Sequence, residues 1–283
     1  MAGSTTTTLN DLLPQIVAEA MFVASERSIM RGLVKNYQLS QGQGKTVRVP
    51  IFPIQTATTL TEGDEVTNTA VSTDGVQLTV TTAAIRTLVT DLAVASSASN
   101  VVADLGRLFG EAVARKIDQD AMKLFSGFNT QVGAWDAALS AATVAKAVAT
   151  LRANAVPADA LACVVHPLVA YDLKANMTNT FANPNAGIIQ NEAMTMGYVG
   201  TLFGVPVFES SNTEEVDGSP GDYYGAVFHR DAIGIAMIGD IGIETQRRAS
   251  YLGTDVVGFC HYGVGEIYDG YGVKIAADSS IKP

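Results

Sequence analysis

With 283 residues, 47% of them hydrophobic and only 16% charged, the chain can bury the core of one elaborated fold or of two domains. That charge is low against about a quarter in ordinary globular proteins, so much of its surface must be uncharged and is expected to be covered by neighbouring subunits. A net charge of -10, from 18 Lys and Arg against 28 Asp and Glu, excludes a protein that grips nucleic acid through a basic stripe. No run approaches the roughly 18 apolar residues of a membrane span, and the Ser/Thr-rich residues 1–8 lack the charged and apolar parts of an export signal.

Asn10 or Asp11 is placed to cap a helix carrying Pro14 in its first turn. Leu13, Ile16, Val17, Ala20 and Ala24 follow as an apolar stripe at helical spacing, with Glu26, Arg27 and Arg31 toward its end. No local core accompanies the stripe, so residues 1–41 read as an arm that needs a partner. Gly42 and Gly44 break the chain before a β segment at 46–52, which carries Arg48 and is interrupted by Pro50 and Pro53. Residues 53–74 are Thr-rich, small and acidic, with Glu62, Asp64 and Glu65 at the centre. A return strand at 76–92 alternates through Val76, Leu78 and Val80, then turns more apolar at Ile85, Leu88 and Val89 around Arg86. A lone two-stranded ribbon is marginally stable in water, so 42–92 is expected to lie on another subunit. Leu13, Ile16, Val17, Arg48, Glu62, Asp64, Glu65 and Arg86 are the candidate subunit contacts.

Ser99 or Asn100 caps a long helix in which Leu105, Phe109, Val113, Ile117, Ala121 and Phe125 recur at four-residue steps, for a span of roughly 40 Å at about 1.5 Å per residue. Its polar face (Arg107, Glu111, Arg115, Lys116, Asp118 and Asp120) is assigned to solvent or a subunit contact. Residues 127–140 read as a loop holding the only tryptophan, Trp135, as a packing anchor. Ser140 caps a helix through Leu151 with Val144, Val148 and Leu151 inward. A buried strand follows at 161–165, His166-Pro167 opens a helix through Tyr171 and Leu173, and 176–196 reads as a loop. Gly200 and Gly204 bracket a turn before a short apolar strand at 205–208, whose Pro206 suits an edge or an entry. These glycines lead into β-branched residues rather than a helix N-terminus, so they form no phosphate loop.

Chemistry is sparse. The three histidines, His166, His229 and His261, have no partner at metal-ligand spacing, and no zinc-protease, Cys-x-x-Cys or nucleophile-elbow motif occurs. His166 reads as a helix cap, and His229 and His261 as satisfied polar residues in sheet. Cys163 and Cys260 sit in apolar strand-like contexts as free buried thiols. The acidic cluster at 62–65 has oxygen ligands suited to Ca²⁺ but not the spacing of an EF-hand loop. No catalytic residue, cofactor or metal site is assigned.

Two linked patterns carry a resemblance. Residues 197–211 read Gly-Tyr-Val-Gly-Thr-Leu-Phe-Gly-Val-Pro-Val-Phe-Glu-Ser-Ser. Residues 225–236 read Gly-Ala-Val-Phe-His-Arg-Asp-Ala-Ile-Gly-Ile-Ala, followed by Ile-Glu-Thr-Gln-Arg-Arg at 243–248 and a closing strand at 271–276. This order resembles the C-terminal half of major capsid proteins of tailed bacteriophages, the Hong Kong 97-type fold. The resemblance implies an α+β fold with an N-terminal arm (1–41), an extended β-loop (42–92), a peripheral domain with a long spine helix (93–140), an axial domain (141–250) and a return to the peripheral domain (251–283). It implies a structural protein, not an enzyme, that self-assembles as hexamers and pentamers into an icosahedral shell around double-stranded DNA. Assembly is expected in the host cytoplasm, with a portal. A separate scaffolding protein is expected because no long charged helical region precedes the arm, and proteolytic maturation is not expected. Some capsids of this type cross-link through a Lys on the extended loop. Residues 46–91 contain no Lys and Lys45 lies at the loop's base, which leaves noncovalent contacts or an added cement protein. An encapsulin-like cellular compartment is the alternative within the same fold.

Overall fold

The computed structural model describes residues 28–40, 42, 44–52, 57, 59–60, 62–63, 65, 74–96, 101–180, 200–216 and 219–282. The arm stripe of Leu13, Ile16 and Val17, the loop residue Asp64 and the expected caps Ser99 and Asn100 lie outside these residues. In chain order, a short helix (Met30–Leu33) leads into β1 (Lys35–Leu39), β2 (Thr46–Ile51), β3 (Asp74–Thr79) and β4 (Thr81–Thr90). A short helix (Asp91–Ser96) and the long helix (Val101–Lys123) follow, then β5 (Gln131–Ala138), a helix (Ala141–Ala153), β6 (Leu161–Val165) and a helix (Pro167–Thr180). The chain closes with β7 (Thr201–Leu202), β8 (Val205–Glu209), β9 (Asp222–His229), β10 (Ile233–Arg248), β11 (Gly253–Glu266) and β12 (Gly272–Asp278).

These strands form a six-stranded sheet ordered β5-β12-β9-β6-β8-β7, a four-stranded sheet ordered β1-β10-β11-β4, and a two-stranded ribbon, β2-β3. The long helix lies against the four-stranded sheet. Its 23 residues span about 35 Å, and Phe109, Val113, Ile117 and Ala121 are buried at the expected four-residue steps. It ends in a 3₁₀ turn (Leu124–Gly127) that turns Phe125 inward, with Phe128 just beyond it. The Phe125 ring stands 5.5 Å from Phe228 of β9 and 6.4 Å from Phe128. Burial of each such ring contributes about 1.5–3 kcal/mol. One core therefore runs from the long helix and β10 to one face of β6 and β9 (Ala162, Val164, Ala226 and Phe228). Gly272 makes this junction possible, since a Cβ there would come within 2.2 Å of the Phe128 ring.

The second core fills the opposite face of the six-stranded sheet. Ser140 caps its first helix as expected, its Oγ accepting the Thr143 N–H at 3.3 Å, and Val144, Ala147, Val148 and Leu151 point inward onto Leu161, Cys163, Val165, Val227 and Ile275. With both faces covered, every residue of β6 is buried.

Several strands sit differently from the sequence reading. Residues 131–138 form a strand rather than a loop, parallel to β12 at the edge of the six-stranded sheet. Its mostly exposed side chains carry no alternation to reveal it. β12 pairs with β9 and β5 in the six-stranded sheet, while β10 lies in the four-stranded sheet. The return strand divides at Val80: β3 pairs with β2, and β4 turns onto β11. Gly263 permits that crossing, because a Cβ there would lie 2.2 Å from the Thr79 carbonyl oxygen. The helix opened by His166-Pro167 runs through Thr180, into the stretch read as loop.

Candidate assembly surfaces

Where the arm meets the body, the junction is built on Asp118. The Ser28 hydroxyl donates to Asp118 Oδ1 at 2.7 Å, and the N–H groups of Ile29 and Met30 donate to its carboxylate at 3.0 and 3.2 Å. Asp118 is 1% exposed. Burial pushes its carboxyl above the usual range, against the opposing pull of the three hydrogen bonds. The sequence reading placed Asp118 on the polar face of the long helix. It belongs instead to a second buried stripe, Ala114, Asp118 and Met122, whose four-residue spacing was the available signal. Asp120 also turns toward the protein and accepts the Tyr262 hydroxyl at 2.6 Å.

The β2-β3 ribbon has one half-buried face. Val47, Val49 and Val76 pack beside Leu78, Val80 and Ala236, while Arg48 is exposed on the other face. Beyond its last pair, Ile51 with Asp74, the exposed residues include Phe52 (61%) and Leu60 (44%), and Glu62 and Glu65 are exposed as well.

Arg86 lies apart from the ribbon residues, on β4. It shares the buried Asp255 carboxylate with Arg248: Arg86 Nη2 donates at 2.8 Å, and Arg248 Nε lies 2.5 Å from the same Oδ2. Next to this pair, the β10-β11 hairpin tip is tied to the short helix after β4 (Asp91–Ser96) by a two-pronged Arg247–Asp91 pair at 2.5 and 2.6 Å and by the Asp91 N–H on the Leu252 carbonyl. Arg247 holds the Asp91 carboxyl below its usual range. Tyr251 and Leu252 are exposed on this tip, and Leu92 is exposed on the helix beside it. Sequence reasoning missed the surface, although a Tyr-Leu pair where hairpin turns usually carry polar residues was a usable signal.

None of the three histidines forms an acid–base constellation. His166 Nδ1 accepts the Leu168 N–H at 3.3 Å and its ring stacks on Tyr223 at 3.7 Å, with burial lowering its pKa. His229 Nδ1 accepts the Asp231 N–H at 3.2 Å, and His261 bonds Thr82 at 2.9 Å. Cys163 and Cys260 are free and buried, the Cys163 thiol pushed up to about 12 by desolvation, which makes it unreactive. No helix among the described residues is long and apolar enough to cross a membrane.

A family model described as phage capsid protein matches residues 56–275. No curated protein matches the chain. Among solved structures, the capsid of the cyanophage P-SCSP1u is 18% identical with a TM-score of 0.69, over 89% of each chain. A structure from Mycobacterium phage Che8 is 20% identical with a TM-score of 0.68, over 88% of this chain and 90% of that one. An encapsulin complex from Synechococcus elongatus is 10% identical with a TM-score of 0.64, over 90% and 89%. The arrangement of helix, sheets and ribbon is thus the Hong Kong 97-type capsid fold, and with the family model matching most of its length the chain belongs to the phage capsid protein family as a structural, major capsid protein.

Proposed function

We propose that the chain assembles as hexamers and pentamers into an icosahedral shell enclosing the double-stranded DNA genome of a tailed phage. The observation that carries this reading is the contrast between a body with two closed cores and a ribbon, a hairpin tip and the short helix beside it, which expose Phe52, Leu60, Leu92, Tyr251 and Leu252. In this reading the arm stripe of Leu13, Ile16 and Val17 lies on a neighbour, and Arg48, Glu62, Asp64, Glu65 and Arg86 make intersubunit contacts. Assembly takes place in the host cytoplasm with a separate scaffolding protein and a portal, and noncovalent contacts or a cement protein take the place of cross-links. Electron microscopy of the purified protein tests it: closed shells or capsomere rings are expected, and a stable monomer at high concentration overturns it.

DNA is held without sequence readout. Any contact is a local patch such as Arg27, Arg31 and Lys35, and the Lys35 ammonium already lies 3.0 Å from Asp231. Three phosphate contacts give a log-log salt slope no steeper than about -3. Tight, sequence-selective binding of duplex DNA by the free subunit would contradict the container reading. The likeness to an encapsulin keeps one second reading, a cellular compartment for protein cargo; particles that co-purify with a protein and no DNA would favour it.

A further inference from the structure

The hairpin of β7 and β8 turns through two residues, Phe203 and Gly204, with Thr201 paired to Pro206 and Leu202 to Val205. Both turn residues have positive φ, 54° at Phe203 and 82° at Gly204. A two-residue turn of this hand favours Asn, Asp or Gly at its first position, because a larger side chain there crowds the following carbonyl. Phe203 is a bulky exception, and its ring is not compensated inside the protein, being 50% exposed. The turn stands clear of the body: a Cβ added at Gly200 or Gly204 would meet nothing within 4 Å.

The base of the hairpin keeps the ring in place. Val205 is buried and Leu202 half-buried in the second core, so the register cannot slip to carry Phe203 out of the turn. Residues 200–208 include no charged side chain, the composition of the centre of a protein contact. A rigid, strained mount that holds an aromatic ring in water destabilises the lone subunit. Burial of the ring by another molecule offsets that loss.

Among the described residues of this half of the protein, two other large apolar side chains are exposed, Tyr171 at 53% and Ile281 at 41%. They flank one joint, where the buried Asp172 carboxylate accepts the Ser280 N–H at 2.8 Å and the Ser280 hydroxyl as well. The joint fixes the helix that carries Tyr171 to the segment after β12. β12 lies four strand spacings from β7, about 19 Å, so ring and joint stand apart on one subunit. Two unlike patches on one chain make a head-to-tail contact, which closes into a ring when its rotation allows.

We propose that Phe203 of one copy packs against Tyr171 and Ile281 of the next and anchors the contact that closes the capsomere ring. This rests on the shell reading and gives it a specific seam. A preorganised aromatic anchor suits that place, because little freedom is lost when it is buried.

The test uses the full chain. Phe203→Asn replaces the ring by a residue suited to the turn. It should raise the thermal unfolding midpoint of the subunit by about 2–4 °C, yet raise the protein concentration needed for particles about tenfold or more. Phe203→Trp, which keeps an aromatic ring, should assemble like the parent. With Phe203→Cys and Ile281→Cys combined, particles assembled at high concentration and then oxidised should yield disulfide-linked oligomers. Neither single variant should do so, since Cys163 and Cys260 are buried. An Asn variant that assembles at the parent's concentration would overturn the proposal, and so would one that is destabilised, because the ring would then be an internal contact. Linkage within one chain, or no linkage in particles of the double variant, would overturn it too. A parent chain that forms no particles at all would remove the shell and this seam together.

Discussion

The six-stranded sheet and the β2-β3 ribbon are both rich in β-branched residues, yet they stand at opposite ends of self-sufficiency. β6 is buried along its whole length because helices cover one face and the phenylalanine core covers the other. β2 alternates exposed and half-buried residues, and its covered face rests only on Leu78, Val80 and their neighbours. The same residue types thus give a finished core in one place and an unfinished one in the other. Folding energy is concentrated in the body, and in the proposed shell the ribbon is the part left for contacts that other copies supply.

The comparison breaks most visibly if the body is opened. Phe228→Ala removes the ring that meets Phe125 and should destabilise the subunit by about 3–5 kcal/mol in denaturant unfolding. A loss as small as that of a surface change would show that the two sheets do not share a core. Asp118→Ala comes next, because it strands the Ser28 hydroxyl and two backbone N–H groups. A cost of about 1–3 kcal/mol is expected, together with faster proteolysis near Ser28. An unchanged cleavage rate would mean that the arm's exit is held elsewhere.

A pH effect sharpens the view of the connection between the sheets. Glu266 ends β11, and Asp269 lies in the turn leading to β12. Burial, then the hydrogen bond and charge of Asp269, raise the Glu266 carboxyl from 4.5 to about 7. Between these two values the folded chain keeps a proton that the unfolded chain has lost. Stability should therefore fall as pH rises through that window and level off above it. Glu266→Gln should flatten the slope in thermal melts at pH 5 to 8, and a slope that survives would assign it to other groups.

On the ribbon the expected folding effects are smallest. Phe52→Ser and Leu60→Ser should change subunit stability by no more than about 0.5 kcal/mol while reducing the yield of particles seen by sedimentation. A large loss of subunit stability would place these residues in an internal core. The change of Glu62, Asp64 and Glu65 to Gln, Asn and Gln removes contacts of about 0 to 1 kcal/mol each, visible only because a shell repeats them. Particle stability should drop more at low salt than at high salt, and equal stability at both would remove the charge contact from the interface.

What the residues determined alone was the local structure of strongly periodic segments. Phe109 to Phe125 specified the buried stripe of the long helix, Ser140 its neighbour's cap, and 161–165 a strand covered on both sides, because spacing and capping act within a few residues. The capsid fold was legible as an order of such segments. Partner choice was not: β5, with almost no buried side chain, and β12, whose apolar residues suit either sheet, take their places through long-range hydrogen bonds that no local pattern encodes. The functional groups divide the same way. The acidic residues at 62–65 and the apolar arm stripe stand out by composition. Asp118 at the arm's exit and the Arg86–Asp255–Arg248 group arise only when elements far apart in sequence are packed together, since burial and pairing give those charges their meaning.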